Sequence, residues 1–266
     1  MKGIKKGKIL KAKEKVKNNY KKQLLKFNKA MYKDIIATIL KAFKTKNNNI
    51  IKQTLNDLES KYNIATDYIA NYVINNFVEE TKKDFQKNYS MGWSFEYEKQ
   101  LQADIFNNVA LIKDLPRKAI FEISQDVFNS VADDENKQSL ETRLKNRYGI
   151  TTRRAETIAR DQTSKLFATM SEISQKSNGI EYYEWITAND ERVSTGKGGH
   201  KQLNHKIFKW EEDKEERKPI IDSYGNTGKP AERVNCRCVA YPIFVEDGYK
   251  MVWDNSLKSY KAIRKW

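Results

Sequence analysis

This chain of 266 residues has little cysteine or histidine: two of each. Two cysteines exclude the disulfide framework that staples small secreted domains, and they fit synthesis in a reducing cytoplasm. No apolar run approaches the roughly 18 to 20 residues of a membrane span, so no membrane partner is expected. The first residues lack the compact apolar segment and small-residue cleavage site of a signal peptide. Residues 1–52 contain no arginine. Disorder is excluded by what is present, since 14 Tyr and 11 Phe accompany a hydrophobic content of 39%.

Charge is distributed very unevenly. Residues 1–52 hold 17 lysines against Glu14 and Asp34, whereas the remaining residues carry 33 basic and 33 acidic groups. A neutral body with a lysine-dense leading arm suits a polyanion, bound with strong salt sensitivity and little sequence preference. Lysine offers no guanidinium fork for base edges, so base readout is not expected. Double-stranded DNA is the expected partner, through Lys11, Lys13, Lys15, Lys17, Lys21, Lys22, Lys26 and Lys29. The alternative is a solvated helix face that keeps the protein soluble.

Apolar residues from Val16 to Phe43 recur every three or four positions, which predicts a long amphipathic helix broken at Asn47-Asn48-Asn49. Further helices are expected from Ile51 to about Lys87, from Phe95 to about Ile112, and from Pro116 onward, with a turn at Met91-Gly92-Trp93. A short helix Ser139–Tyr148 should stop at Gly149. Thr151 or Thr152 should then cap a helix from Arg153 to about Lys176, which ends at Gly179. Beyond it the pattern becomes strand-like at 180–186, 207–208 and 239–241, between long loops. The expected fold is α+β: a predominantly helical N-terminal body and a small α+β C-terminal domain. The boundaries read as a lysine-rich arm (1–52), a helical body (53–138), a small domain (139–245) and a basic aromatic tail (246–266) suited to docking on protein.

His200, His205, Cys236 and Cys238 all fall within one 39-residue stretch. In an extended segment Cys236 and Cys238 face the same side, while Arg237 turns away. Two thiolates with two histidines can complete a tetrahedral Zn²⁺ site, and Asp190 can replace one histidine. Small buried cysteines and loop-bonded histidines are the metal-free alternative. A zinc-dependent nuclease or other DNA-processing enzyme is the alternative function, although no acidic pair is placed for Mg²⁺ and no glycine-rich phosphate cradle is present. Asp190 and Arg192 fit a loop clamp, with Glu156, Arg160, Asp161 and Gln162 as candidate partners.

Several motifs occur in a characteristic order: Ala155-Glu156-Thr157-Ile158-Ala159-Arg160-Asp161-Gln162-Thr163, Tyr183 with Trp185, Asp190-Glu191-Arg192-Val193, His200 with Leu203, Phe208 with Trp210, Pro230, Asn235-Cys236-Arg237-Cys238 and Tyr241-Pro242. Together they resemble the phage Mu F-protein-like minor head (head morphogenesis) family of tailed double-stranded DNA phages, over about residues 139–245. Glu156, Arg160, Asp161, Trp185, Asp190 and Arg192 are then family-motif positions with structural roles. Two departures are the insertion Ser194 to Gly199, and Asn204 with His205 where the family commonly has glycine. The resemblance implies a non-enzymatic virion component inside the head near the portal, made in the host cytoplasm. Its implied partners are the portal protein and other capsid subunits, and its implied role is in assembly or DNA ejection.

Overall fold

The computed structural model describes residues 2–7, 14–89, 95–133, 135–196 and 198–265. Four helices carry most of the chain: α1 (Glu14–Phe43), α2 (Asn48–Tyr89), α3 (Phe95–Ala132) and α4 (Lys137–Ser177). Six strands are β1 (Ile4–Lys6), β2 (Tyr182–Ile186), β3 (Ile207–Lys209), β4 (Val239–Val245), β5 (Tyr249–Asp254) and β6 (Ser259–Arg264). The fold is α+β. No helix among the described residues is long and apolar enough to cross a membrane.

Two compact units emerge, with bounds other than those expected from composition. A helical unit comprises Lys13–Gly92 and Gln102–Gln162; a sheet unit combines Met1–Ala12, Trp93–Leu101 and Thr163–Trp266. Most of the lysine-rich leading segment is therefore part of a bundle core, and its first residues are a strand.

In the helical unit the three-and-four spacing of α1 does what it predicts. Phe27, Met31, Ile35, Ile39 and Phe43 are buried in one cluster with Ile51, Leu55 and Leu58 of α2, Ile120, Ile123 and Val127 of α3, and Leu140 and Leu144 of α4. Burying each such side chain contributes about 1.5–3 kcal/mol. Asn47 does more than break the helix. Its Oδ1 accepts from the backbone N–H of Asn49 at 3.0 Å and of Ile50 at 3.3 Å, capping α2.

Two expected breaks are absent. α4 runs unbroken through Gly149. The threonines expected to cap a new helix are instead held by α1: Tyr32 Oη and Thr151 Oγ1 share a hydrogen bond of 2.7 Å, and Asn28 Nδ2 donates to Thr152 Oγ1 at 3.1 Å. A glycine inside a helix costs about 1 kcal/mol, which these contacts offset. Pro116, expected in a first turn, lies well inside α3. Its buried neighbours Ile112, Leu115, Ala119 and Ile120 hold the helix across the missing N–H. The turn expected at Met91-Gly92-Trp93 lies outside the described residues.

The sheet unit centres on an antiparallel sheet of order β1-β4-β2-β3. Alternation along β2 sends Tyr183 and Trp185 to one face, with Leu203, Phe208, Ile221, Cys236, Cys238 and Ala240. Tyr182 goes to the other, with Ile207, Ile243 and Tyr260. The segment expected as a docking tail instead folds as the β5–β6 hairpin. It is fastened to β3 through Ile207 N–H and Ser259 Oγ at 2.9 Å, with Tyr260 buried. Trp266 lies outside the described residues.

Candidate metal centre

The loop after β2 delivers His200, and the strand-like approach to β4 delivers the cysteines. Gly198 has a φ of +69°, and the Asp222 backbone occupies the space a Cβ would need. Glycine is what allows the loop to lie this close to Ile221 and Asp222. Ser194 Oγ then accepts from His200 N–H at 3.0 Å, at the start of a short 3₁₀ turn, His200–Leu203. The His200 ring meets Trp185 edge-on, with centroids 5.3 Å apart.

His200, Cys236 and Cys238 converge. Their candidate ligand atoms lie within 4.8 Å of one another, and their exposures are 5%, 7% and 5%. His200 Nδ1 is 3.3 Å from Cys236 Sγ and 3.4 Å from Cys238 Sγ. With Zn–S near 2.3 Å and Zn–N near 2.0–2.1 Å, a tetrahedral site separates nitrogen from sulfur by about 3.5 Å. The three side chains fit such an ion. His200 Nε2 lies 3.2 Å from the Ile221 carbonyl, an interaction that puts the ring proton on Nε2 and turns the Nδ1 lone pair toward the sulfurs.

Hydrogen bonding from Cys238, reinforced by His200, holds the Cys236 thiol below the usual range, whereas the adjacent Cys236 and burial push Cys238 up. One negative charge at this point resists a second, and a divalent cation would remove that obstacle. Trp185 Nε1 is buried beside this cluster without a hydrogen-bond partner.

The fourth expected ligand is elsewhere. His205 is exposed, and its Nδ1 lies 2.9 Å from Glu184 Oε1. Glu184 precedes Trp185 on β2, so it points to the opposite face of the sheet and takes His205 with it. Asp190 is not a ligand either. Arg237, between the two cysteines, holds it bidentately at 2.5 and 2.7 Å, and Arg192 adds a contact at 3.2 Å. Glu156, expected as a clamp partner, pairs with Lys21 at 2.9 Å, and Gln162 Nε2 donates to Asp161 Oδ2 at 3.0 Å. Arg160 is exposed and Trp185 fully buried. Sequence reasoning missed the Ile221 carbonyl, which has no side-chain signature, and the carboxylate of Glu184.

Among the lysines singled out for DNA, Lys11 and Lys13 lie outside the described residues. Lys15, Lys21, Lys22, Lys26 and Lys29 are exposed on α1, and Lys17 is half-buried beside Glu14 at 3.5 Å. Lys15, Lys22, Lys26, Lys29 and the exposed Lys33 follow one another at steps of seven, four, three and four, which places them on one face of the helix.

Comparison with known proteins finds that residues 121–241 match the family described as Phage Mu protein F like protein. That span begins within α3 and contains all of α4, the histidine loop and both cysteines. An uncharacterized protein of Haemophilus influenzae is 28% identical over 149 residues, which cover 56% of this chain and 30% of that protein. This chain thus spans less than a third of that relative's length. No solved structure matches.

Proposed function

We propose that this chain is a head morphogenesis protein of a tailed phage that acts inside the head, between the portal vertex and packaged DNA, in assembly or ejection. The observation that carries this reading is the Mu F-like match over residues 121–241. The α1 lysine face supports the DNA side of it: a row of cations on a rigid helix tracks phosphates without reading bases. The sheet unit is the side that meets portal and other capsid subunits. His200, Cys236 and Cys238 hold Zn²⁺ in this reading, as a structural tie between the loop after β2 and the start of β4. Their near-complete burial favours a structural ion over a hydrolytic one, which needs a position that substrate can reach.

Locating the chain in purified particles, before and after genome release, tests the function. Protection from external protease in full heads, with co-purification alongside the portal, is the expected result. A position on the tail or on the outer capsid surface would overturn the reading. Zinc-dependent cleavage of DNA by the purified chain, abolished by His200→Ala, would replace it with the nuclease alternative.

A further inference from the structure

The first described residues make contacts that neither the head-assembly reading nor the metal centre uses. β1 runs antiparallel to β4 in the register Ile4↔Val245, Lys5↔Phe244, Lys6↔Ile243. Further backbone bonds of 3.0 Å run from Glu246 N–H to the Gly3 carbonyl and from Gly7 N–H to the Pro242 carbonyl. Ile4 packs on the cluster of Ile207, Ile243 and Tyr260. Lys6 Nζ reaches Glu184 Oε2 at 2.5 Å, and Glu184 is 1% exposed. A carboxylate buried that deeply is costly without a cation, and Lys6 supplies one from the chain's far end. Gly3 has a φ of +86°, with the Tyr249 ring where its Cβ would be. Backbone pairing, an apolar anchor and a lysine set on a buried carboxylate are together the chemistry of strand addition to a sheet edge.

We propose that the edge of β4 that β1 covers, with Glu184 beneath it, is an acceptor groove for a short lysine-bearing strand, and that the β1 segment of a second copy of this chain can fill it in place of the chain's own. β1 belongs to the sheet unit and α1 to the helical unit, so exchange of β1 leaves the helical unit whole. The incoming strand makes the same contacts as the outgoing one, and effective concentration decides between them.

Neighbouring backbone bonds at Gly3/Glu246 and Gly7/Pro242 make Ile4 and Val245 a non-hydrogen-bonded pair, in which Cβ atoms approach closely enough for a disulfide. Tagged Ile4→Cys chain is mixed with untagged Val245→Cys chain and oxidised gently. A disulfide-linked mixed dimer is expected, with a yield that rises with protein concentration. Adding Lys6→Glu to the tagged chain, which sets two carboxylates together, should cut that yield at least tenfold. Exchange is overturned when the Ile4→Cys/Val245→Cys double variant closes within monomers while the mixed single variants give no more dimer than an out-of-register mixture of Ile4→Cys and Lys250→Cys. The groove itself is overturned when the double variant forms no link even within one chain.

Discussion

The helical unit and the sheet unit bury their residues in different ways. The helical unit holds a cluster of eighteen buried side chains, nearly all aliphatic or aromatic and drawn from all four helices. The sheet unit divides its apolar residues into clusters of eight and three on its two faces, and the larger contains both cysteines. A wide apolar core spreads its stabilisation, so one truncation weakens it without dissolving it. A narrow core built around two thiols and an imidazole concentrates its stabilisation at a single point. The described tryptophans, Trp185, Trp210 and Trp253, all belong to the sheet unit, whereas most helix lies in the other. Tryptophan emission and far-ultraviolet dichroism therefore read the two separately.

The sharpest way to break the comparison is at the metal centre. Cys238→Ser, or chelation of a zinc-loaded chain, should lower the tryptophan-detected transition by several kcal/mol and reduce bound zinc from about one per chain to near none. The dichroism transition should barely move. Coincident loss of both signals would mean that the units are not independent. Ile35→Ala provides the converse: a fully buried isoleucine of α1 truncated to alanine should cost about 2–5 kcal/mol in the dichroism transition while zinc content stays constant.

A smaller effect concerns the α1 lysine face. Replacing Lys22, Lys26, Lys29 and Lys33 with glutamine should leave folding intact and reduce the slope of log affinity for duplex DNA against log salt by about 0.9 for each phosphate that is no longer neutralised. An unchanged slope would move the DNA-binding face off α1.

The smallest effect is acid sensitivity, and each unit has its own source. Hydrogen bonds from Arg237, then Arg192, hold the Asp190 carboxyl well below its ordinary value of 3.8. Hydrogen bonds from Lys61, then Tyr62, both at 2.7 Å, lower the Asp34 carboxyl in the helical unit. A depressed carboxyl stabilises the fold fully above its unfolded value, and that contribution disappears as pH falls through the folded one. Asp190→Asn should therefore flatten the acid dependence of the tryptophan transition below about pH 4, and Asp34→Asn that of the dichroism transition. Both carboxyls are substantially exposed, so the shifts should be slight.

Local pattern made some elements legible and hid others. The apolar spacing of α1, the asparagines before α2 and the β-branched and aromatic run of β2 each carry their own signal, and each became the expected element. Gly149 and Pro116 also carry strong local signals, here for interruption; contacts from α1 overrode the first, and buried residues of α3 on either side of the proline overrode the second. β1 was hidden inside a lysine-rich run, because a three-residue strand is stabilised by its partner on β4. Trp253 and Tyr260, which read as docking residues, pack within their own unit. Of the candidate metal residues, His200, Cys236 and Cys238 meet, while His205 faces away because its partner Glu184 is one residue out of phase with Trp185.

The amino-acid sequence by itself determined the fold class of this protein: period-3.6 apolar spacing specifies helices, residue alternation specifies strands, and the ordered motifs from Ala155 to Pro242 carry the resemblance to the Mu F-like family. Those are properties of neighbours along the chain. Which histidine joins the two thiols, which cation compensates Glu184 and which strand covers β4 were decided by tertiary structure alone. Each depends on the meeting of groups dozens to hundreds of residues apart, and such meetings leave no period in the sequence.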